Sequence, residues 1–274
     1  MTDQVVVITG ASDGIGAAAA RLLKANGDHV IVVGRSPEKT KQIARELDAP
    51  YYLADFANFD DVRALAERLR SDAPRIDVLA NNAGGIMGGR LLTVDGNELT
   101  TQVNHLSPFL LTNLLLETLI ASKATVITTS SVIHRQAGTL DLNDLTLEKG
   151  YSAQHAYAKA KLMNILFTRE LHKRYHDVGI ATAAFHPGVV RTHFSSEFGG
   201  GVNFLYSSIL KGFLRSPEKG AATLVWLATT DPDTLWTSGE YYKDKKIKKS
   251  SKQSHVAGLA NSLWDLSLNI TKLH

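Results

Sequence analysis

The chain has 274 residues, and 44% hydrophobic with 21% charged content is the balance of one sizeable soluble domain. Its net charge of +3 makes no case for nucleic acid as a partner, and the absence of cysteine excludes disulfides, thiolate metal sites and cysteine nucleophiles. No signal-peptide pattern stands in Met1-Thr2-Asp3-Gln4 and no long apolar run suits a membrane span, so a cytoplasmic protein without an N-terminal anchor is expected.

Residues 4–9 form a short β-branched run that reads as a buried parallel strand. A glycine-rich turn, Thr9-Gly10-Ala11-Ser12-Asp13-Gly14-Ile15-Gly16, follows it, and a helix is expected over 17–25. Strand, glycine turn and helix N-terminus together make an anion site. Backbone N–H groups and the helix dipole face a pyrophosphate, and glycines let the backbone come close. Further strands are expected at His29–Gly34, 49–53, 77–81, 124–130, 180–186 and 240–242. Helices are expected at Pro37–Leu47, 59–71, 98–122 and Ala153–Tyr175. This alternation predicts one α/β domain over residues 1–274, a doubly wound Rossmann-type parallel sheet of about seven strands with helices on both faces. Residues 139–150 are polar and read as a loop. Residues 193–216 place a glycine triplet among Phe194, Phe198, Phe204, Leu205 and Phe213, which suits a hinged cover over an apolar substrate.

The chemistry is announced by Tyr157 and Lys161. Four residues apart on a helix, they lie on one face. An ammonium beside a phenol stabilises the phenolate, so the pair can donate or accept a proton in an alcohol–carbonyl interconversion. Gly10, Ser131 and Pro187 all stand at the carboxyl ends of predicted strands, where ligands sit in a doubly wound sheet. Ser131 can reach a substrate oxygen, whereas Ser130 faces the other way and reads as structural.

The Gly-x-x-x-Gly-x-Gly spacing of Gly10, Gly14 and Gly16 resembles that of the short-chain dehydrogenase/reductase family. The resemblance recurs in order at Asn81-Asn82-Ala83-Gly84, Asn104, Ser130-Ser131, Tyr157 with Lys161, and His186-Pro187-Gly188-Val189-Val190-Arg191-Thr192. The long interval from Ser131 to Tyr157 and the ending Leu263-Trp264-Asp265-Leu266-Ser267 resemble the retinol-dehydrogenase-like branch. The resemblance implies that Ser131 is the catalytic serine and Tyr157 the general acid/base. Lys161 would lower the tyrosine pKa and hold the nicotinamide ribose, and Asn104 would orient a water in a proton relay. It implies a cofactor cradle of Gly10, Ser12, Asp13, Gly14, Ile15, Gly16, Asp55, Phe56, Asn81, Ala83, Gly84, Tyr157, Lys161, Pro187, Gly188, Val190 and Thr192. In that cradle Asp55 would meet the adenine, Asn81 the adenosine ribose side and Thr192 the carboxamide or pyrophosphate.

The second predicted strand ends in Gly34-Arg35-Ser36. An arginine there pairs with a 2′-phosphate, where NAD-specific folds carry an acid. This favours NADP(H); Asp13 argues the other way and leaves NAD(H) open. The reading is therefore an NADP-dependent oxidoreductase of a small hydrophobic alcohol, aldehyde or ketone, bound by Ser131, Tyr157 and His193. The alternative is a cofactor-binding sensor or scaffold with little turnover. No histidine spacing suits a metal, and none is expected. Lys243, Lys245, Lys246, Lys248, Lys249 and Lys252, followed by Leu259, Leu263, Trp264, Leu266 and Leu268, leave a weak peripheral contact with an anionic membrane open. Homo-oligomerisation is equally open.

Overall fold

The computed structural model describes residues 3–190 and 215–273. Eight strands form one sheet in the order β3-β2-β1-β4-β5-β6-β7-β8. They are β1 (Val5–Thr9), β2 (His29–Gly34), β3 (Tyr51–Leu53), β4 (Val78–Asn81), β5 (Thr125–Thr129), β6 (Ala181–His186), β7 (Glu240–Lys243) and β8 (Lys246–Ile247). All neighbours pair in parallel except β7 and β8, which form an antiparallel hairpin. The expected parallel strands are therefore present, and the eighth is a two-residue edge strand.

Strand alternation sends side chains to two cores. Val6 and Ile8 of β1 point to one face, beneath α1 (Gly14–Ala25), α2 (Pro37–Leu47) and α8 (Pro217–Thr229). Ala17, Ala18, Ala19 and Ala20 are all buried, which lets α1 lie close against α8. Val7 points to the other face, beneath α3 (Phe59–Asp72), α5 (Ser107–Leu114), α7 (Ala153–Tyr175) and α9 (Leu259–Thr271). Two short helices, α4 (Leu99–Thr101) and α6 (Leu116–Ala121), flank α5.

Residues 98–122 are not the single helix that their apolar run predicts. A π-helical turn, Gln102–Leu106, separates α4 from α5, and Leu115 breaks α5 from α6. Two local features account for the first break. The Asn104 amide donates to the Thr100 carbonyl at 2.8 Å, competing for a helical acceptor, and Pro108 contributes no N–H.

The register positions the site. Ile8 pairs with Ala80, Asn81 with Thr128, and Thr129 with Phe185, so the carboxyl ends of β1, β4, β5 and β6 lie side by side. The chain leaves the β3 edge and returns beside β1 as β4, and this reversal opens a crevice at the β1–β4 boundary.

The C-terminal helix α9 belongs to the core. Trp264 is buried, with its ring 4.9 Å from Phe109 and 5.8 Å from Phe167 between centroids, and the Arg174 guanidinium lies over it at 4.8 Å. Leu263 is buried too, so both residues pack into the core. Among the described residues no helix is long and apolar enough to cross a membrane. Trp264→Ala should lower unfolding stability by roughly 3–5 kcal/mol, the usual cost of emptying a large aromatic site. Urea denaturation followed by circular dichroism checks this, and an unchanged midpoint would show that α9 is dispensable to the core.

Candidate active site

The glycine-rich turn is built for close approach. Gly10 has φ +67°, and a Cβ there would come within 2.8 Å of the Ala83 Cα. A Cβ on Gly16 would sit 2.2 Å from the Gly10 carbonyl oxygen, so the start of α1 can press on the loop only without a side chain. Asp13 caps α1 by accepting from the Gly14 amide at 2.7 Å. Asn82 holds the loop in place. Its side-chain amide donates to the Thr9 carbonyl at 3.0 Å, and its oxygen accepts from the Thr129 hydroxyl at 3.3 Å. The Thr9 hydroxyl in turn accepts from the amides of Asn82 and Ala83, both at 3.0 Å. Side chains thus tie the ends of β1, β4 and β5 beneath the glycine-rich turn. Sequence reading noted Asn82 within its motif but gave it no role; its position one residue past a predicted strand end was the available signal.

Tyr157 and Lys161 occupy one face of α7, with the ammonium nitrogen 5.2 Å from the phenol ring centroid. Lys161 is buried and donates to the Thr129 carbonyl at 3.1 Å. Burial pushes its pKa down to about 7. Asn164, one turn on, donates to the same carbonyl at 3.0 Å. The Ser130 hydroxyl donates to the Lys161 carbonyl at 2.7 Å, which fixes the end of β5 to α7 and confirms Ser130 in a structural place. Ser131 next to it caps a short 3-10 turn, Val132–Gln136, that packs along α7. Gln136 and Ala137 are further fastened to α7 by Gln154 at 2.8 Å and His155 at 2.8 Å. His155 is thereby engaged with a backbone carbonyl.

Asn104 joins this group from the π-helical turn. Its oxygen accepts from the Gly85 amide at 3.1 Å, and its amide donates to the Gly85 and Thr100 carbonyls, both at 2.8 Å. Gly84 lies between the two elements. A Cβ there would meet the Asn104 oxygen at 2.4 Å and the Lys161 ammonium nitrogen at 3.4 Å. The strands and helices therefore bring Gly84, Asn104, Ser131, Tyr157 and Lys161 to one end of the sheet.

The remaining expected cofactor residues are placed unevenly. Ser12 packs at Gly34, where a Cβ would come within 2.9 Å of the serine Cβ. Ile15 and Val190 converge on Gly220 of α8, a glycine whose Cβ would stand 2.6 Å from Val190. Pro187 is buried, and Gly188 has φ +90° with Arg215 filling the space beside it. Asp55 is half-buried and accepts from the Ala57 amide at 2.9 Å. Phe56 is buried in the core, and the Asn81 amide donates inward to Thr112 at 2.9 Å. Arg35 is exposed at the end of β2. Lys39, which sequence reading passed over, stands 3.2 Å from the second carboxylate oxygen of Asp13. It lies four residues after Arg35, in the first turn that Ser36 and Pro37 predict. Thr192, His193 and residues 193–214 of the expected cover lie outside the described residues.

Residues 4–201 match the family model described as short chain dehydrogenase. The chain belongs to the short-chain dehydrogenase/reductase family. Within it, the chain falls in the retinol-dehydrogenase-like branch. It is 43% identical over 271 residues to a Streptomyces sp. (strain C5) protein that bears the name daunorubicin C-13 ketoreductase, covering 96% of this chain and 91% of that one. Human retinol dehydrogenase 12 is 36% identical over 276 residues, covering 97% and 86%. A short chain dehydrogenase from Escherichia coli CFT073, solved in complex with NADPH, superposes with a TM-score of 0.68 at 25% identity, covering 88% and 96%. This family member is an NAD(P)-dependent oxidoreductase acting on alcohol or ketone substrates.

The buried lysine carries a stability cost with a defined sign. Its folded pKa of about 7 lies below the ordinary value of 10.5. Between those values the unfolded chain holds the extra proton, so the stability of the ligand-free protein should rise with pH through that window. One group contributes about 1.4 kcal/mol per pH unit at most. Lys161→Met should flatten this part of the profile, so that variant and native protein draw together from pH 7 toward pH 10. Urea midpoints of the two ligand-free proteins across that range check it, and parallel profiles would place the titration elsewhere.

Proposed function

We propose that this oxidoreductase is an NADPH-dependent reductase of a bulky, hydrophobic ketone or aldehyde. The observation that carries the reading is the meeting of Ser131, Tyr157, Lys161 and Asn104 at the end of β5, beside a turn shaped for a pyrophosphate. The described residues fit a dinucleotide: Gly10 and Gly16 leave backbone where a Cβ would clash, and Gly84, lacking a Cβ, lets Asn104 and Lys161 close in beside the main chain. Gly10, Ser12, Gly14, Ile15 and Gly16 would hold the pyrophosphate side, Asp55, Phe56 and Asn81 the adenosine side, and Ala83, Gly84, Pro187, Gly188, Val190 and Thr192 the nicotinamide side. When bound, NADPH supplies the hydride.

The protein supplies a proton and its alignment. The Ser131 hydroxyl would donate to the substrate carbonyl oxygen and orient it. The Tyr157 phenol would pass its proton to that oxygen as negative charge develops there. Lys161, as the ammonium, would favour the phenolate and donate to the nicotinamide ribose. Both N–H protons of the Asn104 side chain are spent on the carbonyls of Gly85 and Thr100, so a water resupplying the proton would be held by main-chain carbonyls of the π-helical turn.

Two cations support NADPH. Arg35 is exposed at the end of β2, and Lys39 lies one turn away against Asp13, which offsets the acid that argued for NADH. The substrate class follows from the aromatic sequence of 193–216 and from the ketone and retinoid names of the relatives. A sensor without turnover would have no use for a lysine buried at such cost beside a tyrosine.

A panel holding a polycyclic aryl ketone, a retinoid aldehyde and a small hydroxy-ketone, followed by NADPH fluorescence, tests the reading. Better catalytic efficiency on the small polar carbonyl would overturn the substrate class. Tyr157→Phe should lower turnover at least about a hundredfold while NADPH binding persists; near-normal turnover would place the acid elsewhere. Arg35→Ala should weaken NADPH roughly ten- to a hundredfold, the worth of one charge-assisted contact, and leave NADH nearly unchanged. Equal losses for both cofactors would remove the 2′-phosphate assignment.

A further inference from the structure

His134 stands three residues after Ser131, fully buried within the 3-10 turn Val132–Gln136. The Ser251 amide donates to its Nε2 at 3.0 Å. A backbone amide can only donate, so Nε2 carries the lone pair. In the neutral ring the proton then sits on Nδ1, which faces the Ser131 carbonyl oxygen at 2.5 Å and donates to it. Burial, and to a lesser extent Arg135, pushes the pKa of His134 down, so the neutral ring persists at neutral pH, against the opposing hydrogen bond to Ser131.

The place where this contact falls gives it meaning. The last sheet hydrogen bond near the serine runs from the Ser130 amide to the Phe185 carbonyl at 2.7 Å. Beyond it Ser131 is extended, with φ −157° and ψ 153°. Its carbonyl is otherwise held by the His134 amide at 3.1 Å, a 3-10 contact of a weak class. The Ser131 hydroxyl oxygen accepts from the Ile133 amide at 3.4 Å, which uses a lone pair and not its proton. Orientation of that hydroxyl therefore depends on the peptide that follows it. A rigid ring with a donor at one end and an acceptor at the other spans the gap to Ser251, and a neutral imidazole is the side chain that offers both across one plane.

We propose that His134 is a positioning residue: it fastens the Ser131 main chain to the Ser251 amide, so that the segment after β8 sets where the serine hydroxyl stands. The proposal rests on the catalytic assignment of Ser131 made above. It gives a role to residues 250–251, which lie far from the motifs in sequence and at the start of the chain's last stretch.

The first test needs no variant. Long-range proton–nitrogen NMR of the ligand-free protein should show His134 protonated at Nδ1 and bare at Nε2; a proton on Nε2 overturns the proposal. Kinetics then separate positioning from packing, using the best carbonyl substrate of the panel. His134→Gln, which reaches toward Ser251 without the donor near Ser131, should lower kcat about tenfold, with KM for NADPH within roughly threefold of native. His134→Asn, whose amide can reach the Ser131 carbonyl but not the Ser251 amide, should lose kcat to a similar extent, since the link needs both ends. Ser251→Pro removes the amide proton from the other side, and the native φ of −56° suits proline; it should reproduce the kcat loss. Native kcat in His134→Gln and Ser251→Pro, whatever their melting temperatures, would reduce His134 to a core residue. Ser131→Ala serves as the control. If it keeps native turnover the assignment of the serine fails; if it is inactive while the His134 and Ser251 variants are native, the positioning idea alone fails.

Discussion

The carbonyl oxygen of Thr129 is the point on which the site depends. It lies at the end of β5, where the Lys161 ammonium and the Asn164 amide donate to it at 3.1 and 3.0 Å. A lysine taken fully out of water needs a compensating acceptor, and a strand end supplies one without a competing carboxylate. An acid in that place would hold the ammonium strongly and keep its pKa high. A neutral carbonyl lets burial dominate, which is why Lys161 falls to about 7. The lysine is thereby left responsive to whatever binds beside it, which a general acid–base site requires.

From this point polar contacts spread along the edge of the sheet. The Thr129 hydroxyl reaches Asn82, and Asn82 reaches Thr9, so one seam crosses β5, β4 and β1. The end of β5 beneath Lys161 and the glycine-rich turn after β1 share this seam. A second set of contacts runs to the C-terminal segment. His134 meets Ser251, and His105, directly after Asn104, meets the Ser267 hydroxyl of α9 at 3.2 Å. Both histidines are buried. Burial holds the His105 pKa down to about 4, with an opposing interaction from Asn164. Neutral imidazoles suit these places because they join two elements without burying a charge.

The centre of the sheet was legible because β1, β2 and β5 are largely buried and read as short β-branched runs. The parallel strands fall where the apolar runs put them, to within a residue or two at the ends. The edge strand Lys246–Ile247 carries no such pattern, since both of its residues are exposed. The interruption of 98–122 was hidden for a different reason. Leu106, Phe109, Leu110 and Leu111 are all buried, so periodicity continues through a break that one asparagine side chain and one proline impose. Among site residues, the strand-end and helix-face positions of Ser131, Tyr157 and Lys161 could be argued from spacing alone. Asn164 and His134 could not, because their partners are backbone groups of distant segments that only the folded register brings near.

At the turn after β1, the fold gives Asp13 a neighbour that the sequence argument did not weigh. Read alone, Asp13 beside a phosphate-binding turn argues against an additional 2′-phosphate. In the fold it spends one carboxylate oxygen on the Gly14 amide and turns the other toward Lys39. Asp13 is thus a helix cap whose charge is largely met by a cation from the next helix, and such exposed pairs hold only weakly. An incoming phosphate group could draw Lys39 away from Asp13 at little cost, since a dianion competes well with a single carboxylate for an ammonium in water. Asp13 keeps the capping role for which the start of α1 requires an acceptor.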